Sequence, residues 1–324
     1  MANSTLRKVI TAFGVQGEAA IDQLTKESGI LQTAEAIPAN KNISHTYKRV
    51  DALPAFAFSA IGTGQADVTV NSNIYQSDLK VLRAIQSEQT DVVDSYPGGA
   101  AQFFRDDMPA FNEGYGQAAS DNIIYGINST FGDAAGIKGL WYYVNAYTNY
   151  IRCTGTSGST TSIFAVKYRP GKNGCGILYN PQVANSQGLM KTIVMNNGQP
   201  ILEVTNTTTG AKKPVYQVIY ESYLGFLSTS SYDVAAITRI QDADSDRPTA
   251  VQMDEVIDKV RGNSSNTVLY MNRTAYRMVR MLKNSALQMV PTDLAYSSLI
   301  ATWNGVPIVI DDNIVNTEST ALDT

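Results

Sequence analysis

Apolar and polar residues alternate in the first third of the chain, in the manner of two paired strands. Two alternating runs flank a glycine-containing turn: Phe56-Ala57-Phe58, Gly62-Thr63-Gly64 and Val68-Thr69-Val70. Strict alternation is typical of strands with one buried face. The pattern predicts a long β-hairpin over residues 46–78. An isolated two-stranded hairpin is marginal in water, so a neighbouring surface would have to support it.

A different spacing, three and four residues apart, follows the hairpin. Apolar residues at 101, 104, 108, 111, 115 and 118 form the stripe of an amphipathic helix. We expect this helix to span about residues 100–126 and to end at Gly126. Pro109 lies inside it and predicts a kink near residue 108, since proline costs about 3 kcal/mol in a helix interior.

The rest of the chain predicts sheet strands followed by two short helices. Alternation recurs at 164–168, 216–220 and 234–240. Thr249 and Gln252 have the spacing of a capping box, and the helix they begin should end at Gly262. A strand at 268–270, a helix at 273–283 and a buried strand at 306–310 complete an α+β pattern. Residues 1–45 show no sustained period and predict an arm that lies on something else.

The charge and the apolar runs of the chain argue against a dedicated nucleic-acid binder and against a membrane protein. Its 324 residues carry a net charge of −4, whereas a dedicated nucleic-acid binder carries a strong basic excess. Charged residues make up 17% of the chain, below the roughly 25% typical of soluble domains, which favours surfaces that face other protein. Neither a signal peptide nor a membrane-spanning apolar run is evident, so we expect a cytosolic site of synthesis and no membrane partner.

No residue pattern predicts catalysis, a cofactor or a metal. The chain has one histidine, His45, which we interpret as an incidental surface residue, and two cysteines, Cys153 and Cys175, which we interpret as buried thiols. Asp242, Asp244 and Asp246 begin like a calcium loop, but that loop needs a glycine and a glutamate at positions held here by Arg247 and Met253. We therefore expect a solvated linker there, and no catalytic, cofactor-binding or metal residue.

One candidate basic face remains. Arg273, Arg277 and Arg280 fall at i, i+4 and i+7 of the second late helix. They could contact nucleic acid or an acidic neighbour. A solvated helix face is the simpler interpretation.

The order of these features resembles the major capsid proteins of tailed double-stranded DNA bacteriophages with the Hong Kong 97-type fold. The resemblance rests on the hairpin, the long helix, and four segments: GIKGL (136–140), YQVIYESYLGFLSTSSYDVAAITRI (216–240), VLYMNRTAYRMVRML (268–282) and TWNGVPIVIDDNIVNTE (302–318). The short-tailed Bordetella-phage and epsilon-fifteen types look most similar. The strands within 162–240 precede the late helix block, which is the permuted order of the Bordetella-type branch.

The resemblance implies an architecture. It assigns residues 1–45 to an N-terminal arm, 46–78 to an extended hairpin loop, 79–245 to a peripheral domain with the spine helix, and 246–324 to an axial domain with a return strand.

The resemblance also implies a function. The chain would self-assemble into hexamers and pentamers of an icosahedral shell that encloses the double-stranded DNA genome without sequence-specific binding. Assembly would take place in the host bacterial cytoplasm, with a scaffold, a portal and a decoration or cement protein as further partners. The hairpin residues expected at the subunit interface are Phe56, Phe58, Val68 and Val70, with packing inside their own sheet as the alternative for the two phenylalanines.

Two other functions fit the same features less well. An encapsulin-like compartment would have the same fold around an enzyme cargo. A sheet-rich binding or adhesin module would give no role to the arm and hairpin.

The chain is predicted to form no covalent cross-links between subunits. Lys48 is the only lysine in the hairpin, and no glutamate can be matched to the catalytic residue of cross-linking relatives. Purified shells should therefore dissolve into one band at the 35.1 kDa monomer on a denaturing gel. A ladder of larger bands would contradict this.

Overall fold

A computed structural model of the chain describes residues 28–319, apart from 60, 63, 129, 157, 170, 172–173, 182–189, 207–209, 244, 283–286 and 291–299. The helices are α1 (Gly29–Thr33), α2 (Thr90–Asp94), α3 (Gly99–Ile124), α4 (Leu140–Ala146), α5 (Ala250–Lys259) and α6 (Arg273–Met281). The strands are β1 (Ala36–Pro38), β2 (Ser44–Ala52), β3 (Asn71–Asp78), β4 (Lys80–Gln89), β5 (Tyr150–Arg152), β6 (Thr161–Lys167), β7 (Cys175–Tyr179), β8 (Lys191–Val194), β9 (Ile201–Asn206), β10 (Ala211–Ser228), β11 (Val234–Ile240), β12 (Thr267–Met271), β13 (Leu287–Val290), β14 (Ile300–Trp303) and β15 (Val306–Ile310).

A seven-stranded sheet in the order β13-β14-β15-β12-β6-β11-β5 forms the centre of the molecule. Both faces of its middle strands are buried, which explains their nearly continuous apolar sequences. Phe164 and Val166 of β6 enter one core with the end of α3 and with α4. Ile163 and Ala165, which point to the opposite face, enter a second core with α5 and α6.

This sheet corrects the predicted boundary at residue 245. β6 and β11, which come before it, pair directly with each other, and β6 also pairs with β12, which comes after it. Residues 79–245 and 246–324 therefore share one sheet. Strand pairing joins segments far apart in sequence, so the order of elements along a chain does not fix its domains.

A second sheet is built around the long strand β10. On one side β10 pairs with β4, and on the other it pairs in turn with β9, β8 and β7. Helix α3, the predicted spine helix, lies on this sheet: Phe111 stacks on Tyr220 with ring centroids 4.5 Å apart, and the Gln86 amide donates to Asp107 at 2.6 Å.

The bounds of the spine helix agree with the prediction. It runs from Gly99 to Ile124 and continues through Pro109. Gly126, just beyond its end, has a φ of +60°, and a Cβ there would lie 2.3 Å from the backbone nitrogen of Gly139. Only glycine fits this turn without displacing the backbone. Helix α5 likewise has its predicted capping box between Thr249 and Gln252, although the residue with positive φ after it is Arg261 and not Gly262.

For residues 28–45, the prediction of an arm is wrong. Residues 28–45 pack into the molecule: Ile30 and Ile37 are buried, and β1 pairs in parallel with β7. These segments are too short to show a period, and they find their partners far along the chain. The first 27 residues lie outside the described part of the chain.

The C-terminal segment, residues 311–318, carries two buried carboxylates. Asp311 accepts hydrogen bonds from the Ile30 backbone N–H at 2.9 Å and from the Ser120 hydroxyl at 3.0 Å. Glu318 accepts from the Tyr125 hydroxyl at 2.8 Å and from the Ser162 hydroxyl at 2.5 Å. The segment therefore ties the spine helix to α1 and to the central sheet.

Burial raises the pKa of Asp311, while its hydrogen bonds act in the opposite direction. A carboxyl whose pKa is higher in the folded state contributes most to stability below its unfolded pKa of about 3.9, and loses that contribution as the pH rises through the folded value. Protonation of Asp311 at low pH therefore does not lower the stability of the fold.

Replacing Glu318→Ala should lower the free energy of unfolding by about 3 kcal/mol, because the buried hydroxyls of Tyr125 and Ser162 would lose their acceptor. Urea unfolding of the monomer, followed by circular dichroism, measures this. Thr317→Ala, at the exposed neighbouring position, is the matched control and should change stability by less than about 0.5 kcal/mol. Equal losses in the two variants would contradict the assignment.

Candidate assembly surfaces

Strands β2 and β3 form an antiparallel two-stranded ribbon, which is the root of the predicted hairpin. Their register pairs Ser44 with Asp78 and Tyr47 with Tyr75. Within the described residues the ribbon forms a separate two-stranded sheet. Its lower end is held to the body because β3 continues into β4 through the buried Leu79, and because the Ser77 hydroxyl donates to the Phe226 carbonyl at 3.2 Å.

A polar network links the two strands in the half of the ribbon nearer its tip. The Arg49 guanidinium donates to Asp51 at 2.9 Å and lies over the Tyr75 ring, 4.2 Å from its centroid. Asn73 also donates to Asp51, at 2.6 Å. The hydrogen bond from Arg49 is the main reason that the pKa of Asp51 is lowered. Side-chain contacts therefore join the two strands in addition to their backbone ladder.

The tip of the ribbon, residues 53–70, differs from the predicted strands. Its described residues have no strand pairing, so the alternation of Phe56, Phe58, Val68 and Val70 does not form a ladder. A two-stranded tip has no third surface on which to bury one face. The alternative in which the phenylalanines pack within their own sheet is also wrong.

Instead, the tip exposes its apolar side chains. Phe56 is 95% exposed and Phe58 fully exposed, while Val68 and Val70 are about half exposed. Leu53 and Ile61, which the alternation did not single out, are exposed as well. Asp67 is the only charged residue between 53 and 70. Exposed apolar patches of this kind are common at protein interaction sites.

The three arginines of the candidate basic face lie on helix α6, where acidic or aromatic side chains of the same chain contact them. Arg273 pairs with Asp312 at 3.1 Å, Arg277 pairs with Asp242, and Arg280 lies over the Tyr276 ring. Asp242 is exposed in the loop between β11 and α5, in agreement with the predicted solvated linker, and it also pairs with Arg247 at 2.9 Å. The spacing of the arginines brought them to one face, but the acidic partners come from distant loops.

The remaining candidates for chemistry occupy structural positions. His45 is buried, which corrects its assignment as a surface residue, and its Nδ1 accepts from the Asn40 backbone N–H at 3.3 Å. Cys153 and Cys175 are buried free thiols, as expected. Burial raises the pKa of Cys153 to about 11, which disfavours the nucleophilic thiolate.

The described part of the chain offers neither a metal site nor a membrane-spanning helix. It contains no cluster of three or more His, Cys, Asp or Glu side chains placed to hold a metal ion. None of its helices combines the length and the apolar character needed to span a membrane.

The chain is similar in sequence to one protein family and in fold to several solved structures. The family model described as Major capsid protein GP7 matches residues 15–321. A chain in the near-atomic-resolution cryo-EM structure of bacteriophage Epsilon15 is 15% identical, covers 96% of each chain and has a TM-score of 0.59. The capsid of bacteriophage JBD30 (15% identity, 98% of each chain) has a TM-score of 0.47. The holo-SrpI encapsulin complex from Synechococcus elongatus PCC 7942 (10% identity, 72% of this chain and 95% of that chain) has a TM-score of 0.49. No curated protein sequence matches significantly.

The family match covers nearly the whole chain and favours the phage capsid over the encapsulin and adhesin alternatives. The family is structural, and its members form the shell of the virion. The Epsilon15 chain confirms the Hong Kong 97-like fold expected from the sequence. The chain belongs to the Major capsid protein GP7 family and is a homo-oligomeric, shell-forming component of a phage virion.

Proposed function

We propose that the tip of the ribbon is the element by which each subunit holds its neighbour in the shell. The observation that carries this proposal is the exposure of six large apolar side chains on one nearly uncharged segment: Leu53, Phe56, Phe58, Ile61, Val68 and Val70. Fully burying one such side chain is worth about 1.5–3 kcal/mol. A subunit that places this tip on a second copy therefore gains what it cannot gain alone.

The proposed contact joins two different surfaces of the subunit. The tip of one copy rests on a different surface of the next, so the contact is heterologous, and such contacts close into rings when the rotation closes. We place the copies in hexamers and pentamers of an icosahedral shell around double-stranded DNA.

Low overall basicity and the paired arginines of α6 support a wall that does not read DNA sequence. Further partners of this assembly would be a scaffold, a portal and a decoration protein, with assembly in the host cytoplasm. The role is structural and involves no catalysis.

Phe58→Asp should abolish or strongly reduce shell formation while the monomer stays folded, because the aspartate would have to be desolvated at the contact. Electron microscopy and sucrose-gradient sedimentation of the expressed chain measure the yield of shells, and thermal unfolding of the soluble fraction checks the fold.

Ser59→Asp is the matched control for charge. Ser59 is exposed and polar in the same segment, so this variant adds the same carboxylate without removing an apolar side chain. It should retain most of the shell yield. Normal shells from Phe58→Asp would overturn the proposed role of the tip.

A further inference from the structure

The end of the β10 sheet extends beyond the helices that cover it. Even-numbered residues of β10 face the helical layer: Tyr220 stacks on Phe111 of α3, and the Tyr216 hydroxyl donates to Asp94 of α2 at 3.1 Å. By strand alternation, Pro214 and Lys212 lie on the same face. Both are exposed, so the helical cover ends at Tyr216.

The uncovered end exposes an apolar strip. Leu202 and Val204 of β9 lie directly opposite Pro214 and Lys212 in the ladder, and opposite residues share a face. Leu202 is 67% exposed and Val204 is 50% exposed. We call Leu202, Val204, Lys212 and Pro214 the overhang. A strand pair with exposed aliphatic side chains at a sheet end needs a covering surface.

The charge around the overhang is basic. Residues 191–214 contain three lysines and one glutamate. Lys213 pairs with Glu203 at 3.5 Å. Lys212 takes part in none of the ion pairs found among the described residues, so its ammonium is available to an acidic partner.

A surface of opposite charge lies beside the overhang on the same molecule. Residues 88–107, which include α2 and the first turns of α3, contain five carboxylates and one arginine. Asp91, Asp94 and Asp106 are exposed and make no ion pair within the described residues; Asp94 and Asp106 accept only from neutral groups, including the hydroxyls of Tyr216 and Tyr96. We call Asp91, Asp94 and Asp106 the acidic surface. It also contains half-exposed apolar side chains, Val92 and Phe104.

We infer that the overhang of one copy binds the acidic surface of a second copy, in a contact separate from that of the ribbon tip. Apolar side chains meet apolar side chains, and Lys212 meets uncompensated carboxylates. The two surfaces adjoin each other on one chain and differ in sign, so each copy can give one contact and receive another. Charge complementarity of this kind selects the partner and the orientation.

Charge reversal tests the pairing. Lys212→Glu and Asp91→Lys should each lower the fraction of chain that sediments as shells several-fold, because each places like charges together at every repeat of the contact. The double variant restores opposite charges and should recover most of the parental fraction. Thermal unfolding of each soluble variant checks that the monomer is intact.

A charge reversal elsewhere serves as the control, and disulfide formation between copies reports the contact directly. Lys259→Glu reverses a lysine on α5, away from both surfaces in the sequence, and should assemble like the parent. Lys212→Cys combined with Asp91→Cys should give disulfide-linked species larger than dimers on a non-reducing gel, since each copy would carry both halves. The two native cysteines are buried and should not contribute.

The inference is wrong if the single reversals assemble normally, or if the double variant is no better than the singles. It is equally wrong if the double cysteine variant forms no linked species. Because these variants leave the ribbon tip unchanged, such a failure would not bear on the role proposed for Phe58.

Discussion

The fold of the described chain depends on a pair of buried carboxylates in the segment 311–318. Asp311 and Glu318 collect hydrogen bonds from the start of α1, from the spine helix and from the central sheet, three parts that are far apart in sequence. Removing an acceptor from a closed site leaves buried donors unpaired, which costs more than a typical hydrogen bond contributes. Asn272 extends the joint, because its amide caps α6 and also donates to the Ile314 carbonyl at 2.9 Å.

The buried body of the subunit differs from the surfaces that project from it. The middle strands of the central sheet are buried on both faces and offer little apolar surface to a partner. The ribbon and the end of the β10 sheet, in contrast, leave the body and expose aliphatic and aromatic side chains. A shell subunit needs both: a body that keeps its shape, and projecting surfaces whose burial is completed only by another copy.

The candidate surfaces were partly accessible from sequence. The apolar residues of the tip could be found, because Phe56, Phe58, Val68 and Val70 stand in a segment with almost no charge. Their conformation could not, since alternation describes a strand only when something is present to cover one face. Sequence patterns do not predict the overhang. Leu202 and Val204 look like ordinary strand residues, and only the end of the helical layer at Tyr216 leaves them exposed.

Local signals in the sequence determined the spine helix, the capping box of α5, and the strands β6, β10, β11 and β15, because helix and strand periods are written over consecutive residues. Tertiary structure decided the rest. The parallel pairing of β1 with β7, the burial of His45 and the sharing of one sheet across residue 245 depend on partners more than a hundred residues away in most cases. Arg273 and Arg277 also pair with residues outside their own helix, Asp312 and Asp242, although these lie closer in sequence. Periodicity records which side of an element is apolar, whereas the identity of the surface that covers it is fixed only when the chain is folded.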